Sequence, residues 1–169
     1  MTGLVLPTFL TDEDNDYVEE LRGTLFPRLH WFLDTFTPAY GVGTADESQY
    51  AGTLAESEAV IEKELAELGL VRNPLACYKE TEDGRESEGS WALIAERDEC
   101  GLLRQDDRQL HITLFSRRDG AAGREVYAHL EADWRDRPLA HIRCEDFHPV
   151  VGAERTKRLL NQYSYLTLE

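Results

Sequence analysis

Two segments in which apolar and polar residues alternate, 110–115 and 126–131, constrain the fold of this chain more than any other feature. A period of two is that of a half-buried β-strand, because successive side chains point to opposite faces of a sheet. The residues between the segments, 117–123, are typical of a loop, with Gly120 as the turn residue. The two segments are therefore predicted to form an antiparallel hairpin.

The apolar residues also fix the register of this hairpin. A slip of one residue would send the two apolar sets to opposite faces, so the register must keep them together. The residues concerned are Leu110, Ile112, Leu114, Val126, Ala128 and Leu130. The simplest such register sets His111 opposite His129 on the second face. Thr113 then lies opposite Tyr127, and Glu131 is close by on that face.

Helical periodicity dominates the first part of the chain. Apolar residues recur at helical spacing over 12–37, which predicts two helical pieces, or one helix kinked at Pro27. A further helix is predicted to begin at the capping box Thr44-x-x-Glu47, whose two side chains can accept hydrogen bonds from free backbone N–H groups at a helix start. It is predicted to end at Gly69, the residue type favoured just past a helix C-terminus.

A second hairpin is predicted around Asp83-Gly84, a pair that signals a two-residue turn. In the register that this turn imposes, Lys79 lies opposite Glu88. Both charged side chains share a face that is expected to point to solvent, while the aromatic residues of the hairpin point inward.

The C-terminal part adds a short element and a helix. Residues 139–143 are predicted to form a short last strand, and Pro149 suits the first turn of a helix. Helices followed by strands and a final helix indicate an α+β fold, with N-terminal helices, an antiparallel sheet of about five strands and a C-terminal helix packed on one face. At 169 residues the chain is expected to form a single domain, 1–169.

The charge of the chain is strongly negative. There are 33 Asp and Glu against 18 Lys and Arg, a formal net charge of −15, and the lysines are few: Lys63, Lys79 and Lys157. This composition resembles that of haloarchaeal proteins, which work in multimolar cytoplasmic salt, where the Debye length of ~3 Å at 1 M mutes self-repulsion. The alternative interpretation of the acidic residues is a docking surface for a basic partner.

The same composition limits the cellular location and the classes of partner that can be expected. Three cysteines without a C-x-x-C pair indicate reduced thiols and a cytoplasmic location. No nucleic-acid partner is expected, because phosphate binding needs clustered Lys and Arg. No membrane partner is expected either, since no apolar run approaches the ~18–20 residues of a span.

The second face of the hairpin is the candidate site, with His111, His129, Thr113, Tyr127 and Glu131. Neutral imidazole binds metal ions and titrates near neutral pH, so the histidine pair suits metal or acid–base chemistry. A closed metal site needs about four ligands, however, and the register places only two histidines, so neither a metal nor a cofactor is expected. The alternative interpretation is a half-exposed sheet face.

Two other histidine patterns are weaker. Residues 111–114 match one H-x-T-x element of the 2H phosphoesterases, a family that needs two, and no other histidine is followed two residues later by Thr or Ser. Phosphoesterase activity is therefore not expected of this chain. The pattern His141-x-x-Cys144-x-x-x-His148 has metal-ligand types at a non-standard spacing, and a strand end followed by a helix cap would explain it equally.

Two functions remain. The first is a non-enzymatic module that binds a small molecule or a protein, including a second copy of the chain in a homodimer, through the face that carries His111, Tyr127 and His129. The second is a small hydrolase or metal-dependent enzyme built on His111 and His129. An open, concave face with converging polar groups would favour the enzyme.

Overall fold

The computed structural model describes most of the chain after residue 43. The described residues are 44–72, 79–93, 108–133, 136–164, Leu166 and Leu168, together with six isolated positions: Thr24, Arg28, Trp31, Phe32, Thr35 and Phe36. All six isolated positions are helical, while the rest of the helix predicted over 12–37 lies outside the described residues. Within the described part, no helix is both long and apolar enough to cross a membrane.

The described elements are short strands and helices, with five strands in succession between the first α-helix and the last two. In chain order they are β1 (Thr44–Ala45), a 3₁₀ helix (Glu47–Gln49), β2 (Tyr50–Leu54), α1 (Glu58–Glu67), β3 (Leu70–Arg72), β4 (Glu80–Thr81), β5 (Ser87–Leu93), β6 (Arg108–Ser116), β7 (Arg124–Ala132), α2 (Pro138–Ile142) and α3 (Pro149–Tyr163). Five strands form one antiparallel sheet in the order β2-β7-β6-β5-β3, and β1 pairs with β4 in a separate parallel pair. The predicted α+β class and five-stranded sheet are confirmed.

The register predicted for the hairpin is confirmed. In the β6–β7 ladder His111 pairs with His129 and Thr113 pairs with Tyr127. The apolar face of this hairpin is buried beneath α1 and α3, which contribute Ile61, Leu65, Leu159 and Leu160 to the same core. The C-terminal helix therefore packs on one face of the sheet, as predicted, and leaves the histidine face on the other side.

Helix α3 lies very close to the sheet at Gly152. A Cβ atom at this position would lie 2.2 Å from the Cα of His129 and 2.6 Å from the backbone nitrogen of Leu130. Only glycine permits this approach, because carbon atoms in ordinary contact are ~3.5–4.0 Å apart. The backbone of β7 at His129 is therefore held directly by a helix on the opposite face.

The prediction of one helix from Thr44 to Gly69 is wrong over its first half. Residues 44–54 form β1, the 3₁₀ helix and β2, and α1 begins only at Glu58. Strand β2 pairs with β7 along the edge of the sheet, a tertiary gain that outweighs local helix signals. The end was predicted well: α1 stops at Glu67 and Gly69 has a φ of +88°.

The second hairpin turns at Asp83-Gly84, but its register differs by one residue from the prediction. The backbone N–H of Ser87 donates to the carbonyl of Lys79 at 2.8 Å, so Lys79 faces Ser87 and not Glu88. The turn holds an extra residue, because Thr81 pairs with Arg85 through a backbone hydrogen bond of 3.0 Å. Contrary to the prediction, Lys79 is buried.

The prediction of a strand over 139–143 is also wrong. The segment forms the short helix α2, with Pro138 in its first turn. Proline favours a helix start because its fixed φ suits a helix and its missing N–H costs nothing there. The same reason applies at Pro138 and at Pro149. Pro149 begins α3, as predicted.

Candidate metal centre

The histidine face of the β6–β7 hairpin is buried, and not half-exposed as one interpretation of the sequence had it. His111 and His129 are each 1% exposed, and Glu131 is 0% exposed. Gln49, in the 3₁₀ helix, and Phe147, in the segment before α3, both contact the ring of His129. The polar groups of this face therefore converge in the interior of the protein.

Strand geometry brings three potential metal ligands together. His111 and His129 are direct partners across the ladder, with ring centroids 4.9 Å apart, and Glu131 follows His129 by two residues on the same face. His111 Nδ1 lies 2.8 Å from Glu131 Oε1, and His129 Nε2 lies 3.2 Å from Glu131 Oε2. One ligand atom from each residue lies within 4.8 Å of the other two.

Each of the three residues has a second polar contact that holds its side chain. Gln49 Oε1 lies 3.1 Å from His129 Nδ1, and Gln109 Nε2 donates to Glu131 Oε1 at 2.9 Å. The hydroxyl of Ser90 contacts His111 Nε2. Partners of this kind orient the ligands of metal sites, because they fix ring rotation and tautomer.

The contact with Gln49 determines the tautomer of His129. Gln49 Nε2 donates to the carbonyl of Thr44 at 3.3 Å, which turns Oε1 toward the histidine. Oε1 can only accept, so His129 Nδ1 carries the proton and Nε2 presents a lone pair. Two acceptors, His129 Nε2 and Glu131 Oε2, therefore face each other at 3.2 Å, which is favourable only with a positive charge beside them.

Burial keeps both histidines neutral. Burial lowers the pKa of His111 to about 4 and that of His129 to about 3; the ammonium of Lys79 also lowers both, while the carboxylate of Glu131 raises both. Burial alone would raise the pKa of Glu131, but in acid the two imidazoles become protonated, and their positive charges hold that pKa well below its usual range. The site is thus two neutral imidazoles and one carboxylate at neutral pH.

Lys79 is the positive charge beside this site. Its Nζ donates to His129 Nε2 at 3.4 Å, and its side chain is 2% exposed. Burial lowers the pKa of Lys79 to about 8, against the attraction of Glu131, which raises it. No hydrogen-bond donor reaches Glu131 Oε2, and none is aligned with His111 Nδ1, from the described residues.

The other two predicted site residues lie further along the strands. Tyr127 packs against Tyr50 and Phe115, with ring centroids 5.5 and 5.1 Å away, and its hydroxyl donates to Glu125 at 3.2 Å. Thr113 is buried opposite Tyr127. Both share the face of the histidines, but the contacts of Tyr127 belong to a neighbouring apolar cluster.

The pattern at His141, Cys144 and His148 does not form a second site. His141 Nδ1 lies 3.4 Å from Glu131 Oε2 but donates to the carbonyl of Ala132 at 3.1 Å. His148 pairs with Leu130 through the backbone and precedes α3. In the parts of the chain described here, the triad of His111, His129 and Glu131 is the group of three that could hold an ion.

Sequence reasoning missed four residues around the triad. Gln109 precedes His111 by two residues on the same face, so the strand period could have found it. Ser90 follows from the pairing of β5 with β6. Gln49 lies in a segment predicted as part of a longer helix, and Lys79 lies in a hairpin predicted with a different register. No local sequence signal placed either residue near the triad.

Comparison with known proteins adds no relative. No family model matches the chain, and no curated protein or solved structure matches it. The function is therefore inferred from the geometry of the triad.

Proposed function

We propose that this protein binds a divalent first-row transition metal ion through His111 Nδ1, His129 Nε2 and the Glu131 carboxylate. The observation that carries the proposal is the opposition of two acceptors, His129 Nε2 and Glu131 Oε2, at 3.2 Å in a fully buried position. Two facing acceptors repel each other unless a cation lies between or beside them. A metal ion bound by both supplies it.

The donor set suits such an ion. Imidazole and carboxylate together are ligands of Zn²⁺, Fe²⁺ and Mn²⁺, and bond lengths of ~2.0–2.2 Å separate neighbouring ligand atoms by ~2.8–3.6 Å, from octahedral to tetrahedral geometry. The separations of 2.8 and 3.2 Å in the triad are close to this range. All three ligand atoms lie within 4.8 Å of one another, so side-chain adjustments would bring the three onto one ion.

This proposal departs from the expectation, drawn from the sequence, that no metal is bound, and it makes the chain a binding module whose ligand is a metal ion. A metal-dependent enzyme is the second candidate. It is favoured by the number of ligands, since three protein ligands leave a coordination position open, as in catalytic zinc and non-haem iron sites. Its test is hydrolysis of chromogenic ester and phosphodiester substrates by the Zn²⁺-loaded protein, compared with the Glu131→Gln variant.

The experiment that tests metal binding is calorimetric titration of the chelator-treated protein with Zn²⁺ in 2 M KCl, where screening weakens binding to the acidic surface. We expect one equivalent to bind tightly to the wild type and at least ~100-fold more weakly to Glu131→Gln, which keeps the shape of the side chain but loses its charge. His148→Gln is the matched control and should bind as the wild type does. Equal affinity in Glu131→Gln and the wild type would overturn the proposal.

We further propose that the chain works in a salt-rich cytoplasm. The support is its net charge of −15 and its use of arginine in place of lysine. Dense negative charge opposes folding in dilute buffer and is screened in concentrated salt. A wild-type protein that is equally stable without added KCl would contradict this adaptation.

A further inference from the structure

We infer that Lys79 is the resident cation of the triad, and that its ammonium turns out to water when a metal ion enters. The inference rests on the proposed metal binding. It concerns how the site is regulated: metal ion and lysine compete for the same lone pairs.

The position of Lys79 makes the two cations exclusive. Its Nζ lies 3.4 Å from His129 Nε2, the atom that the metal would bind. A metal ion ~2.0 Å from that nitrogen would stand close to the ammonium, where like charges repel strongly in a buried environment. Both cations cannot occupy the site together.

The buried carboxylate of Glu131 requires one positive charge beside it, either the metal ion or the ammonium of Lys79. Glu131 is completely buried, and a buried carboxylate without a positive partner is strongly destabilising. Lys79, in contact with His129 Nε2 beside the carboxylate, supplies that positive charge before metal arrives. Once the metal ion neutralises Glu131, the ammonium in turn lacks a negative partner at the triad, so its most favourable place is in water.

The backbone permits this exchange without rearranging the sheet. The amide of Lys79 donates to Ser87 Oγ at 3.1 Å, and its carbonyl accepts from the Ser87 N–H at 2.8 Å. Both contacts hold the main chain beside β5, while the side chain has four rotatable carbons. We therefore expect the exchange to rotate the side chain and to leave these two backbone contacts intact.

Two consequences follow for the bound ion. The site remains charge-balanced after the ion leaves, so the protein stays folded when the metal is removed. The affinity is lower than the three ligands alone would give, because every binding event must displace Lys79. The ligand is therefore an exchangeable divalent ion and not a permanent structural one.

Amine labelling of the wild type tests the inference directly, because the chain has only three lysines. Lys63 and Lys157 have exposed side chains and serve as internal standards. We expect acetylation of Lys79, measured by peptide mass spectrometry, to be slow in chelator-treated protein and at least ~10-fold faster with saturating Zn²⁺. Unchanged protection of Lys79 in a protein that demonstrably binds Zn²⁺ would overturn the inference and leave metal binding intact.

A substitution gives an independent readout. Lys79→Met keeps the length of the side chain without its charge, and we expect it to bind Zn²⁺ at least ~10-fold more tightly than the wild type. Lys157→Met, on the surface, should bind as the wild type does. Equal or weaker binding by Lys79→Met would refute the competition. Absence of binding in both Lys79→Met and the wild type would instead refute the metal site itself.

Discussion

Replacing Gly152 with alanine tests whether helix α3 holds His129 in place. The added Cβ would lie 2.2 Å from His129 Cα and 2.3 Å from its carbonyl carbon, against the ~3.5–4.0 Å of ordinary contact. The helix must therefore retreat by about 1.3–1.8 Å, since the contacted atoms are backbone and cannot rotate away. Leu159 and Leu160, buried on the same helix, would lose packing with it.

The change in the free energy of unfolding caused by Gly152→Ala follows from two opposing effects. Overpacking of this kind costs about 1–3 kcal/mol, and contact with backbone places Gly152→Ala near the upper end. Alanine regains about 1 kcal/mol of helix propensity. The net loss is about 2 kcal/mol, which lowers the urea midpoint by about 1 M for a slope near 2 kcal/mol/M.

Urea titration followed by far-UV circular dichroism in 2 M KCl measures this loss. Val151→Ala is the control, because its side chain is exposed and should change stability by less than about 0.5 kcal/mol. Gly152→Ala should also weaken Zn²⁺ binding, since His129 moves with its strand. A Gly152→Ala protein as stable as the wild type would refute the reasoning.

Three further results are expected. The free energy of unfolding of chelator-treated protein should fall as pH decreases from about 6.5 toward 4. In this range His111 and His129 take up protons in the unfolded chain but not in the folded chain, where their pKa values are about 4 and 3. Chemical denaturation at several pH values measures the change, and a stability independent of pH would contradict neutral histidines. Zn²⁺ at 100 times its dissociation constant should add about 2.7 kcal/mol to the wild type and almost nothing to Glu131→Gln, as calorimetric melting would reveal. The melting temperature should rise steadily as KCl increases to 2 M, and a fall would argue against salt adaptation.

The hairpin could be predicted from the sequence because both of its faces are patterned. Alternation in β6 and β7 leaves one set of registers that buries every apolar side chain, and this places His111 beside His129 without any knowledge of the remainder. Glu131 follows from the same period. The triad could thus be predicted from the local sequence, although its burial could not.

The surroundings of the triad could not be predicted in the same way. Gln49 reaches His129 across 80 positions in the chain and Lys79 across 50, so their contacts depend on tertiary packing. The capping box at Thr44 and the turn at Asp83-Gly84 gave plausible local structures, but sheet pairing and one extra turn residue overrode them. Burial of the histidine face follows from these long-range elements.

The placement of all three ligands within one hairpin has a consequence for the order of folding. His111, His129 and Glu131 come together when β6 and β7 pair across the short loop between them, an event of microseconds that needs no distant part of the chain. Lys79 arrives only when the hairpin around Asp83-Gly84 closes and docks. Because both hairpins are local, the ligand set can form without Lys79, whereas Lys79 reaches the ligands only once the two hairpins pack together.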